Sequence, residues 1–562
     1  MNAVAPRHLE SFQPFIVFMD TSSATVQDHL HKAIDDKIKA SEQITRELKY
    51  RRNALAPISR LPIEHLVGIF SLLAFSADHY KADPLAWILC VTHVCRRWRE
   101  ITLNSPYLWS HIDFSKLTLA GLTEILARAK MLPLHFKANT NLWSTERFNV
   151  FGDHIEAHIS HTRHVSISGR SPTVLEQLVS PAPALVSLSL NDDSYNRYRA
   201  FKIPVIIPDS LFNGTAPKLT HLELIGYSIG WKSPLLKGLQ TLKIVTPSAK
   251  VMPTLEDWLA ALSQMPRLKA LILNNATPVI SVDDPLISEL QRKVTLPSLT
   301  HFNITASPKR CALALAHLVL PVLSSLHVHV FCKSQSWDGD DDVDLDVDNV
   351  RLVIPYVAQH AHGPQDTAPL QTIIINGNAR KAEIAAWTVP DADGNLFFFV
   401  DLSKTAAPAR LVLSVTPKYG WHVGTDTVLF DAMLSHLPLD AISSLSAKNH
   451  IRLSKEVWLS HAPRLTMLKQ VLLVPTAVNA FAEMLEEDAP PNGPPRLPQL
   501  TKLILSSVIL TQLRTCHVRD MLVKREEQGA PVEVLELRPW FLTEPENQLL
   551  SEICKVPRTR KA

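Results

Sequence analysis

The sequence predicts an α/β protein, with a small all-helical segment near the N-terminus followed by a long array of short strand-and-helix units. Three observations predict it. Two apolar stripes at helical spacing fall within residues 61–109. Downstream, the spacing Pro-x-Leu-x-x-apolar-x-apolar returns again and again. Glycine is scarce at 16 of 562 residues and proline plentiful at 40, against ordinary usage near 7% and 5%.

Residues 1–22 carry no helical or strand periodicity and are expected to be disordered. Val26, Leu30, Ile34, Ile38, Ile44 and Leu48 then predict an amphipathic helix over 23–56, with Asp35, Asp36, Lys37, Lys39, Glu42, Arg46 and Glu47 on its other faces. It is read as packing against the helical segment that follows, with a short coiled coil as the alternative. Leu61-Pro62-Ile63-Glu64 opens the next helix. Pro62 sits where a missing N–H costs nothing, and Glu64 suits the positive end of the dipole. Ile63, Leu66, Ile69, Phe70 and Leu73 form its stripe. Asp83-Pro84 marks a turn and a new helix start. Val91, Val94, Cys95, Trp98 and Ile101 then form the second stripe. By periodicity alone this is a helical hairpin inside a larger core.

The repeated spacing follows at Pro183/Leu185/Leu188/Leu190, Pro217/Leu219/Leu222/Leu224, Pro266/Leu268/Leu271/Leu273, Pro297/Leu299/Phe302/Ile304, Pro321/Leu323/Leu326/Val328 and Pro498/Leu500/Leu503/Leu505. Looser copies lie at Leu239/Leu242/Ile244, Leu370/Ile373/Ile375 and Val532/Leu535/Leu537. Composition alone gives about one match or fewer. The two alternating apolar residues point one way from a short strand. A unit this small cannot bury its own face, so units stack side by side. Leu255–Leu262 and Ala477–Leu485 read as helices on the outer face. Residues alternating with the buried ones face the other side of the strands: Ser187, Ser189, His221, Glu223, Thr241, Lys243, His301, Asn303, Ser325, His327 and Lys502. Ser336–Asn349 interrupts the array with an acidic insertion that lacks the ligand spacing of a calcium loop.

The residues Leu61-Pro62-x-Glu64-x-Leu66-x-x-Ile69-Phe70, Val94-Cys95-Arg96-x-Trp98-Arg99 and Ser105-Pro106-x-Leu108-Trp109 together resemble the F-box, closest to that of mushroom-forming fungi. The resemblance covers about fifty residues well. A loop at Ser76–Asp83 is longer than a minimal F-box would have, and Gly68 falls inside the first helix at a cost of about 1 kcal/mol relative to Ala. The array downstream resembles degenerate leucine-rich repeats. No Asn or Cys stands regularly after the strand, so an irregular solenoid is expected rather than an even horseshoe. The domain plan is then 57–115 F-box, 116–552 repeat solenoid interrupted at 336–349, and 553–562 a basic tail.

The resemblance implies docking rather than chemistry. Leu61, Pro62, Ile63, Leu66, Ile69, Phe70, Val94, Cys95 and Trp98 would contact an Skp-type adaptor, which links to a cullin–RING ubiquitin ligase. The repeats would hold a target protein, with His221, Glu223, Lys243, His301, Asn303 and His327 as candidate contacts on their concave face. The alternative is a repeat scaffold without a ligase role.

Composition narrows the rest. A net charge of +3 implies neither nucleic acid nor membrane as partner. Six separated cysteines without a C-x-x-C pair predict no disulfide framework, zinc site or resident RING, and fit the cytoplasm or nucleus. Phe12–Met19 lacks the flanks of a signal peptide. No cofactor motif is present. Gly226-Tyr227-Ser228-Ile229-Gly230 has the form of a hydrolase elbow, but no room for the helix that must follow. No catalytic residue and no metal ligand is therefore assigned.

Overall fold

The computed structural model describes residues 24–75, 86–115, 117–141, 143–192, 205–245, 247, 251–279, 292–331, 347–361, 368–378, 381–391, 409–417, 425–449, 453–487, 494–506 and 512–538. The expected disorder at 1–22, the loop at 76–83 with its Asp83-Pro84 turn, most of the acidic insertion and the basic tail lie outside these residues. The chain divides into two compact units, one of Met1–Trp109 with Thr123–Lys130, the other of Ser110–Leu122 with Met131–Ala562.

The first unit is helical. Helix α1 (Ala24–Ala54) is followed by a 3-10 turn, Pro57–Arg60, and then by α2 (Ile63–Phe75), α3 (Ala86–Thr92) and α4 (Arg96–Leu103), with a second 3-10 turn at Pro106–Trp109. Its core is Leu66, Phe70, Trp87, Val91, Ile101, Leu108 and Trp109. Phe70 and Trp98 meet at 4.9 Å and Trp87 and Trp109 at 5.8 Å. The Trp109 indole N–H donates to the Thr102 carbonyl at 2.8 Å, which satisfies the one polar atom such a ring buries. Two expectations fail here. The stripe of α1 is not packed away: Leu30, Ile34, Ile38, Ile44 and Leu48 are all exposed. The second stripe is not one helix either. Cys95 is fully extended (φ −160°, ψ 167°) at the start of α4, so Val94 and Cys95 occupy a turn between α3 and α4.

The second unit is a mixed α/β region built on a sheet. In chain order its strands are β1 (His111–Asp113), β2 (Leu134–Asn139), β3 (Thr162–Ser168), β4 (Ser187–Asn191), β5 (Val205–Ile206), β6 (His221–Ile225), β7 (Tyr227–Ser228), β8 (Thr241–Val245), β9 (Ala270–Asn274) and β10 (Val294–Thr295). Then come β11 (His301–Ala306), β12 (Leu318–Val319), β13 (Ser325–Phe331), β14 (Thr372–Asn378), β15 (Lys381–Trp387), β16 (Leu411–Thr416), β17 (Ser444–Asn449), β18 (Gln470–Leu473), β19 (Lys502–Ser506) and β20 (Val534–Arg538). Sixteen of them form one sheet, while β5–β7 and β10–β12 are small separate pairs.

Every copy of the repeated spacing lands on a strand of the large sheet. Leu188, Leu222, Leu242, Leu271, Phe302 and Leu326 stand in one parallel register from β4 to β13. The proline has a defined task. Pro183, Pro217, Pro266, Pro297 and Pro498 each sit second in a β-turn. The following leucine closes it, its N–H donating to the carbonyl three residues back: Leu185 to Ala182 (3.2 Å), Leu219 to Ala216 (3.0 Å), Leu268 to Met265 (3.0 Å), Leu299 to Leu296 (3.3 Å) and Leu500 to Leu497 (3.1 Å). A fixed φ near −65° presets that position. The leucine is then carried into the core, buried in all five. Helices Leu255–Ser263 and Pro475–Glu486 match the two foreseen. The first is capped by Thr254, whose hydroxyl accepts from the Asp257 N–H at 3.2 Å.

Stacking in simple chain order breaks down after β13. The sheet order there is β13-β16-β15-β14-β17, with β15 antiparallel to both neighbours. β14 and β15 pair as a hairpin from Asn378↔Lys381 outward. Two strands joined that closely can only run antiparallel, since a parallel return needs a long crossover. The other face also changes. The alternating residues are polar on most strands up to β13. From β16 to β19 Val412, Ala385, Trp387, Ile374, Leu472 and Ile504 form a buried apolar cluster there. A wholly polar face was expected, and these strands are buried on both sides.

Candidate functional site

The helical unit places the nine docking candidates in two groups. Leu66 and Phe70 are fully buried. They are core residues, not contact residues, and this corrects their assignment. Trp98 and Cys95 are half-buried, as is Leu61, while Pro62, Ile63, Ile69 and Val94 are exposed. Helical spacing alone does not separate the groups, because Ile69 and Phe70 are neighbours in the stripe. What separates them is which side of α2 faces α3 and α4. Leu72, 72% exposed, was not singled out from the sequence. It lies three residues from Ile69 and therefore on the same side of the helix. Leu89 and Tyr107 are further exposed apolar groups of this unit.

Arg97 fixes where α2 begins. Its guanidinium donates to the Leu61 carbonyl at 2.9 Å and to the Ser59 carbonyl. Those two carbonyls end the 3-10 turn ahead of Pro62, where proline supplies no N–H. Arg96, the preceding residue on α4, lies over the Tyr50 ring at 5.7 Å and pairs with Glu100 at 2.8 Å. Gly68 is on the open side of α2, and a Cβ built there meets nothing within 4 Å.

In the sheet unit four of the candidate contacts, His221, Glu223, Lys243 and His301, are already engaged by neighbouring side chains. His221 and His301 share one cross-strand row. Each Nδ1 lies 2.8 Å from the hydroxyl of the preceding threonine, Thr220 or Thr300. Glu223 accepts from Lys243 at 2.7 Å and from Ser189 at 3.1 Å. Asn303 stands beside His327 in register. Burial holds the His327 imidazole below its usual pKa.

The reading of the sequence missed the start of the histidine row. His111, His135 and His164 sit on β1, β2 and β3, and their rings stack at 4.0 and 4.2 Å, each pair 22° from parallel. Burial is the main cause that lowers His111 to about 4 and His135 to about 3, with neighbouring imidazoles adding to it. His164 is lowered as well, again chiefly by burial. The signal was present. In His111-Ile112, His135-Phe136, His164-Val165, His221-Leu222 and His301-Phe302 a histidine directly precedes an inward apolar residue of a strand. β1 to β3 lack the proline that marks later units, so they were not aligned with them.

Ser228 of the hydrolase-like motif is fully buried in β7. A 3-10 turn at Pro234–Leu236 follows, not a helix. Among the described residues no cluster of three or more His, Cys, Asp or Glu could hold a metal ion. Among those residues, too, no helix is long and apolar enough to cross a membrane.

One family comparison matches. Residues 58–115 fit the family described as F-box-like. The match begins in the 3-10 turn before α2 and ends just past β1. The chain thus carries an F-box-like domain ahead of its α/β sheet region. A comparison with curated proteins finds no match.

Proposed function

We propose that this chain is the substrate-recognition subunit of an SCF-type cullin–RING ubiquitin ligase. The F-box-like match over residues 58–115 carries the reading. The domain keeps Ile63, Ile69, Leu72 and Val94 in solvent while packing Leu66 and Phe70 inside. Exposed large apolar groups on a small helical unit are suited to the core of an interface with an Skp-type adaptor. The docking residues are then Leu61, Pro62, Ile63, Ile69, Leu72 and Val94, with half-buried Trp98 at their edge.

The sheet region is read as a degenerate leucine-rich-repeat solenoid of the kind resembled in mushroom-forming fungi. Its polar face, from the histidine row to Asn303 and His327, holds the target protein. The chain itself performs no chemistry. By holding the target beside a charged ubiquitin-conjugating enzyme it raises the local concentration of reactants. In this reading it works in the cytoplasm or nucleus.

The test is co-purification with an Skp-type adaptor. Wild type is expected to retain the adaptor, and an Ile63→Asp, Leu72→Asp double variant to lose it with an unchanged melting curve. Retention by the variant, or no adaptor with wild type, would overturn the docking reading and favour a repeat scaffold with no ligase role.

A further inference from the structure

Helix α1 is 31 residues long, or about 46 Å at 1.5 Å per residue. Every residue from 27 to 50 is exposed. Its apolar residues Leu30, Ile34, Ile38, Ile44 and Leu48 are between 48 and 62% exposed. Helices are held mainly by burial of an apolar face, and the described residues leave this face exposed.

The pattern of the face is that of a coiled coil. Leu30, Ile34, Lys37, Ser41, Ile44 and Leu48 recur at alternating steps of four and three, which is one coiled-coil seam. This seam is palindromic about residue 39. Turned end for end, Leu30 meets Leu48, Ile34 meets Ile44 and Lys37 meets Ser41. Two-fold pairing about that centre makes each contact twice with the roles exchanged. Leucine then faces leucine and isoleucine faces isoleucine, so a second copy fills the apolar layers with matched side chains.

Charge selects the direction. Residues 24–36 hold Asp28, Asp35 and Asp36 against Lys32, a net of −2. Residues 37–54 hold Lys37, Lys39, Arg46, Lys49, Arg51 and Arg52 against Glu42 and Glu47, a net of +4. Antiparallel pairing sets the negative part of one helix beside the positive part of the other. Parallel pairing would stack Lys37 on Lys37 and Arg51 on Arg51 inside the seam. The two polar layers at the centre, each Lys37 against Ser41, are the kind of element that fixes register.

We infer that α1 is a self-association helix, and that two copies of this chain pair through it as an antiparallel coiled coil centred on residue 39. The inference does not rest on adaptor docking, and its test involves no adaptor.

Light scattering of the full chain after size exclusion is expected to show a dimer at tens of micromolar. The Ile34→Asp, Ile44→Asp variant is expected to run as a monomer with its melting transition unchanged. Cysteine substitution then reads the direction. Mixing Ile34→Cys chains with Ile44→Cys chains is expected to give an oxidised cross-link absent from wild type, while Ile34→Cys alone gives none, because its two copies lie about 15 Å apart along the axis. A monomeric wild type, a dimer that survives the double aspartate variant, or cross-linking of Ile34→Cys alone would each overturn the inference.

Discussion

Phe70→Ala separates core from contact surface in the helical unit. The ring is fully buried and lies 4.9 Å from Trp98 at 55°. Removing a buried Phe costs about 3–5 kcal/mol through lost transfer energy and the cavity left behind, which includes about 0.5–1.5 kcal/mol for the aromatic pair. A domain of about sixty residues has roughly 3–9 kcal/mol in total. The substitution therefore consumes most of its stability. Ile63, 54% exposed, has little packing to lose, and Ile63→Ala is expected to stay within about 0.5 kcal/mol of wild type. Native-state hydrogen exchange over residues 63–109 reads the difference directly. At 1.4 kcal/mol per decade, Phe70→Ala should speed exchange of the slowest amides there by roughly a hundredfold or more. Ile63→Ala should leave them within about threefold. Protection in Phe70→Ala within tenfold of wild type would refute the assignment of Phe70 to the core.

Gly68→Ala should raise the thermal stability of the helical unit by about 0.5–1 kcal/mol, since a Cβ meets nothing there and Ala is the better helix former; a lower melting temperature would argue against that open site. Tyr227→Phe should cost about 1–3 kcal/mol in chemical denaturation. Its hydroxyl donates to the Gly169 carbonyl at 2.6 Å and accepts from the Ser171 N–H at 2.9 Å, so the loss leaves both buried groups unpaired. The histidine stack sets a pH dependence. His111 and His135 titrate at about 4 and about 3 when folded, against about 6.5 unfolded. Between those values the unfolded chain binds more protons, so stability falls as pH drops below about 6.5 and the loss is complete near 3. A His111→Gln, His135→Gln variant should melt with a shallower slope between pH 6.5 and 5, and an unchanged slope would count against the stack.

Much of this protein could be read without coordinates. The F-box-like segment was legible because its Pro-Ile-Glu opening and the Cys95, Trp98 and Trp109 positions are local features. The strands β4, β6, β9, β11, β13 and β19 were legible because one proline presets one turn and the alternation after it is period two. Long-range pairing was not. Nothing local says that β16 lies beside β13, or that β15 runs backwards between its neighbours. Those pairings depend on residues far apart in the chain.

The sequence by itself determined which residues are apolar and at what period, and hence the helices, most of the strands and the seam on α1. Only the tertiary structure decided what each stripe faces. It buried Phe70 and left Ile69 in solvent, although both belong to one stripe on one helix. It also stacked His111, His135 and His164 from three separate strands. The physical reason is that periodicity records the side of an element but not its neighbour. Burial is settled only when another element, distant in sequence, takes up that side.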